Sequence, residues 1–110
     1  MKRKKPIRNQ KTMMKKQINL AVQVLPASKE IHPYKLVDAA IAIINESGLK
    51  YQVCPFETVI EGPYDEVMVL VEKIQLACYN AGADSMIVNM KLQSSKDGDV
   101  SIDDKMEKYQ

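Results

Sequence analysis

Residues 48–62 read GLKYQVCPFETVIEG. Two short β-rich runs, Tyr51 to Cys54 and Thr58 to Glu61, lie between glycines and flank Pro55-Phe56-Glu57. Such a pattern predicts a β-hairpin. Its place in the chain decides the fold, because an amphipathic helix is predicted on either side of it. Gln52, Thr58 and Glu61 interrupt its apolar residues, so one hairpin face should meet water, a ligand or a partner.

Working outward, QINLAVQVL (17–25) alternates. Ile18, Leu20, Val22 and Val24 are expected on one face, Asn19, Ala21 and Gln23 on the other. HPYKLVDAAIAIINESG (32–48) reads as a helix, with Pro33 at its first position and Gly48 just past its end. GPYDEVMVLVEKIQLACYNAG (62–82) reads as a second helix beginning at Pro63, with Val67, Leu70, Val71, Ile74, Ala77 and Cys78 as its apolar stripe. DSMIVNMKLQ (84–93) is the last strand. Met86, Val88, Met90 and Leu92 should face the core, with Ser85, Ile87, Asn89 and Lys91 facing away.

The order β-α-β-β-α-β predicts an α+β, ferredoxin-like domain over residues 17–93. Right-handed crossovers place both helices on one face of an antiparallel sheet of order 4-1-3-2. The other face is then left without a helix. Residues 94–110 are expected to form a polar tail, with a short helical turn near Asp103 to Lys108.

The net charge of +2 conceals two regions. Residues 1–16 hold eight Lys or Arg and no acid, which predicts a disordered basic tail. Met13 and Met14, just before the first strand, are candidate natural starts. Residues 17–110 hold eight Lys against fourteen acids, a net of −6, and no Arg. An Arg fork for phosphate or carboxylate is therefore excluded from the domain, and with it acylphosphatase-type chemistry on this fold.

His32 stands alone before Pro33, as expected of a cap or surface residue. No Ser or Cys has an identifiable base, and neither a Gly-rich phosphate loop nor a metal-ligand cluster is present, so no catalytic residue, metal or cofactor is expected. The central strands lack the aromatics on which RNA-recognition domains stack bases. Only the basic tail suits nucleic acid, and then without specificity. Cys54 and Cys78 have no metal-type spacing and are expected as reduced thiols. No apolar run reaches the ~18–20 residues of a membrane span. A cytoplasmic protein that is not an enzyme is expected.

The segments INLAVQVLP, ESGLKYQV, TVIEG followed by YDEVM, and AGADSMIVNMKL together resemble the small thiamine-binding-protein family. The resemblance spans Gln17 to Gln93 and continues loosely through KMEKY. It implies a ferredoxin-like fold whose protomers pair through their sheets, commonly as tetramers. It also implies a carrier of thiamine or hydroxymethylpyrimidine rather than an enzyme. In one place the chain departs: many members have Gly and then PMGT after YQV, where this one has CPFET, and the bulkier Cys54, Phe56 and Glu57 of this turn into Thr58 bear on pocket size and ligand identity. Glu57 or Glu61 could attract a thiazolium cation; plain surface carboxylates are the alternative.

The amides and hydroxyls of the open face are the candidate ligand contacts: Asn19, Gln23, Thr58 and Asn89. Placing Thr58 on the side of Asn19 assumes a register, which puts Val59 and Glu61 on the opposite side and makes Glu61 a structural acid near Pro63. Two functions follow. One is a thiamine or hydroxymethylpyrimidine binder working as a dimer or tetramer. The other is an oligomeric interaction or regulatory module without that ligand.

Overall fold

The computed structural model describes residues 16–109. The expectations for residues 1–15 lie outside the described residues. β1 (Gln17–Ala27), α1 (Pro33–Glu46), β2 (Lys50–Val53), β3 (Thr58–Pro63), α2 (Tyr64–Asn80) and β4 (Ser85–Gln93) follow in order. The four strands form one sheet of order β2-β3-β1-β4, antiparallel at every pairing. This is the expected ferredoxin-like arrangement.

Local chemistry sets the helix ends. His32 caps α1: its Nδ1 accepts from the Tyr34 N–H at 3.1 Å, and Pro33 follows. At the other end Gly48 takes φ +78°, where a side chain would be strained. Pro63 is the last residue of β3 and the N-cap of α2 rather than its first helical residue. Asp65 and Glu66 lie in the first turn of α2, where the helix dipole favours acids.

The core lies between the helices and the inner sheet face. Leu36, Ala40 and Ile44 of α1 and Val67, Leu70, Val71, Ile74 and Cys78 of α2 are buried with Ile18, Leu20, Val22 and Ile60. The β4 side chains alternate as expected, but only Met86 and Val88 are partly buried against the core. Met90 and Leu92 remain 46% and 41% exposed. The physical reason is position: β4 is an edge strand, and the helices pack mainly over β1 and β3.

Residues beyond β4 return to the sheet and cross one end of its outer face. They include α3 (Ile102–Met106), whose N-cap Ser101 accepts from the Asp104 N–H. Val100 and Ile102 of this strap are buried. One transverse row of the sheet, Lys50 on β2, Glu61 on β3, Asn19 on β1 and Gln93 on β4, meets it strand by strand. Lys50 Nζ pairs with Asp103 at 2.7 Å, Glu61 accepts from the Ile102 N–H at 2.7 Å, Asn19 donates to the Val100 carbonyl at 3.2 Å, and Gln93 accepts from Lys105 at 2.8 Å. The outer face is thus covered at this end and open over the rest.

Candidate functional site

The β1–β3 register decides where the four candidate residues lie. Residues directly opposite in an antiparallel pair share a face. Leu20 pairs with Ile60 and Val22 with Thr58, whereas Asn19 pairs with Glu61 and Ala21 with Val59. Thr58 therefore belongs to the inner, helix-covered face with Ile60, and is 6% exposed. This corrects the expectation that Thr58 shares a face with Asn19, Gln23 and Asn89. Val59 and Glu61 are correspondingly on the outer face. Glu61 has the expected structural role, but it anchors the strap rather than the start of α2.

Asn19 is 3% exposed. Its Nδ2 donates to the carbonyls of Val100 and Ile18, and its Oδ1 is the one buried side-chain oxygen or nitrogen without a partner among the described residues. It lies four residues along the strand from Gln23, about 13 Å. The structure does not bring it together with the other three.

Gln23 and Asn89 face each other across β1 and β4, and Asn89 Nδ2 donates to Gln23 Oε1 at 3.1 Å. Here β1 runs past β3. Its pairing with β3 ends at Val22–Thr58, while β4 accompanies it to Ala27. Beyond that point β1 has a neighbour on one side only. The turn between β2 and β3, closed by the Cys54 N–H on the Glu57 carbonyl at 2.9 Å, lies beside the gap.

The result is a notch of about 160 Å³ between β1, α1 and this turn. Val22, Val24, Ala40, Ile44 and Ile74 give it an apolar floor, Thr58 borders it on the same inner face, Gln23 borders it from β1, and Phe56 and Glu57 stand at the turn side. Glu57 makes a 3.5 Å ion pair with Lys91 of β4, both side chains being accessible to solvent. Phe56 is 81% exposed.

A larger hollow, about 390 Å³, lies between the end of α1 and the first turn of α2. Its polar lining is mainly the carboxylates of Glu46, Asp65 and Glu66 with Lys73, and it contains none of the candidate residues. The notch is the better site for a neutral ring, because an apolar floor meets only a few polar residues there, Thr58 and Gln23 among them. The sequence reading tied Phe56 to pocket size through its turn but missed the floor.

Fold and notch together define a ferredoxin-like domain with a recess of single-ring size at the end of its sheet. A sequence profile described as thiamine-binding protein matches residues 20–110, and the chain belongs to that family. A UPF0045 protein of Clostridium perfringens is 36% identical over 91 residues, covering 83% of this chain and 95% of the relative. Among solved structures, a domain of unknown function from Bacillus cereus superposes with a TM-score of 0.85 at 35% identity, covering 89% of this chain and 94% of that one. A Thermotoga maritima protein provisionally assigned to thiamine biosynthesis or salvage superposes with a TM-score of 0.77 at 26% identity, covering 86% and 99%. Among the described residues, no helix is long and apolar enough to cross a membrane.

Proposed function

We propose that this chain is a cytoplasmic, non-catalytic binding protein for thiamine or its hydroxymethylpyrimidine part, working as a homo-oligomer. The observation that carries the reading is the notch, with Thr58 and Gln23 beside an apolar floor. Clefts that bury a drug-sized ligand run to roughly 300–1,000 Å³. At about 160 Å³ the notch suits one ring, and the aminopyrimidine offers donors and acceptors to polar residues at its border such as Thr58 and Gln23. Asn89 acts through its hydrogen bond to Gln23, fixing the amide's orientation.

Two groups with catalytic potential already have structural roles, which supports binding without chemistry. The His32 ring caps α1. Burial raises the Cys78 pKa and keeps that thiol protonated. On the outer face, Leu25 and Ile87 are paired neighbours, 46% and 61% exposed, which favours a second copy covering this end of the sheet. If the protein oligomerises and neither compound binds, the interaction-module reading takes precedence. Isothermal titration with thiamine and with hydroxymethylpyrimidine, beside light scattering of the free protein, tests both parts. Saturable binding of either compound to an oligomer is the expected result.

A further inference from the structure

We infer that Phe56 and Glu57 form a cation-accepting lip on the notch, selecting intact thiamine over its neutral pyrimidine fragment. This inference rests on the binding reading above.

Two acids of the β2–β3 hairpin were candidates for a cation, and the structure separates them. Glu61 is engaged in the strap, accepting from the Ile102 N–H at 2.7 Å. Glu57 stands at the notch, and its one ion-pair partner among the described residues is Lys91 at 3.5 Å. The Lys91 side chain is 78% exposed. A solvated pair of that length is weak, so Glu57 can exchange it for another cation. Next to it, the exposed Phe56 offers a ring face that a cation can approach within ~6 Å.

Size and charge then orient the ligand. At about 160 Å³ and open to solvent, the notch seats one ring deeper than the other, which leaves the second ring of thiamine toward its mouth. The permanently charged thiazolium would lose hydration on an apolar floor, whereas the neutral pyrimidine loses far less. The pyrimidine therefore takes the floor, and the methylene bridge carries the thiazolium to the lip. A diphosphate ester of thiamine would instead bring negative charge to a body of net −6 without Arg. It should bind more weakly than thiamine.

The test is titration calorimetry of the full chain with thiamine, hydroxymethylpyrimidine and thiamine diphosphate at low and high ionic strength. Wild type should prefer thiamine over hydroxymethylpyrimidine by about twofold to fivefold at low salt, the scale of one exposed ionic or cation–π contact. The preference should shrink as salt rises. Glu57→Gln should bring the ratio close to one, and Phe56→Ala should lower it. Glu61→Gln should lower the melting temperature and keep the ratio. Equal affinities in wild type, an unchanged ratio in Glu57→Gln, or the same loss in Glu61→Gln would overturn the lip. Failure of all three compounds to bind would overturn the binding reading, and the lip with it.

Discussion

Asn19 on β1 and Glu61 on β3 lie directly opposite each other, and both side chains hold the C-terminal strap rather than meeting solvent. The pairing explains two polar residues on central strands of so small a sheet. A strap laid over a sheet leaves backbone groups that need partners, and a buried group left unmatched costs about 1–3 kcal/mol. Glu61 satisfies the Ile102 N–H, and Asn19 satisfies the Val100 carbonyl. The apolar anchors are Val100 and Ile102, each worth roughly 1.5–3 kcal/mol when fully buried.

Removing residues 99–110 should therefore destabilise the domain by about 2–5 kcal/mol, since it strips both anchors and strands Asn19 and Glu61. Glu61→Ala alone should cost about 1–3 kcal/mol. Urea denaturation followed by circular dichroism measures both. Equal midpoints for truncated and full-length protein would mean that the strap does not stabilise the sheet.

The loop after α2 sets a second expectation. Gly82 has φ +116°, and a Cβ there would lie 2.7 Å from Ile31 Cγ1. Gly48 has φ +78° but open space around it. Gly48→Ala should cost about 1 kcal/mol from backbone strain. Gly82→Ala should cost more, because the loop holding Ile31 must also shift. In an Ile31→Ala background the cost of Gly82→Ala should fall, and thermal melts of the four chains form the cycle.

The two thiols should behave differently. Cys78 is fully buried, its Sγ 3.5 Å from the Leu36 carbonyl, and burial raises its pKa above the usual 9.0. The folded chain thus holds that proton more tightly than the unfolded one. The stability tied to it is full below about pH 9 and falls as pH rises further. At pH ~8, iodoacetamide followed by mass spectrometry should add one label per native chain, at the partly exposed Cys54, and two in denaturant. Two labels on native protein would place Cys78 in an opening segment.

Most of the fold was legible because periodicity survives packing. Ile18, Leu20 and Val22 alternate with polar or small residues, and the Pro33 and Gly48 signals bracket α1 closely. The site was less legible for a specific reason. TVIEG offers Val59 and Ile60 on opposite faces, so hydrophobicity alone does not say which is buried. The register settles it by pairing Ile60 with Leu20, and Thr58 turns inward as a consequence. The strap was harder still. Its anchors are two apolar residues, Val100 and Ile102, spaced by one Ser among acids, a pattern too sparse to separate from a solvated tail.

Ala21 tests the proposed assembly. It sits on the outer face between Val59 and Lys91, half-buried and beyond the strap row. Ala21→Lys puts a second ammonium beside Lys91 on a surface that a partner copy would have to desolvate. Light scattering at micromolar concentration should show loss of the oligomer while circular dichroism keeps the native signal. An unchanged mass would move the contact off this face.

The last prediction separates Thr58 from Asn19, which the sequence placed in one site and the structure places in two. Thr58 borders the notch; Asn19 lies under the strap, bonded to Val100. Thr58→Val keeps the branched shape and removes one hydrogen-bonding group. Losing such a bond costs roughly 0.5–1.5 kcal/mol, more where the partner is left unmatched. Thiamine and hydroxymethylpyrimidine should both bind about threefold to tenfold more weakly, because the pyrimidine is common to them. The melting temperature should hardly change. Asn19→Ala should do the reverse, lowering the melting temperature through the strap while leaving affinity within about twofold of wild type. Calorimetry and thermal melts on the two variants give four numbers. Affinity loss in Asn19→Ala with none in Thr58→Val would put the ligand on the outer face beneath the strap and leave Thr58 as an inward β-former.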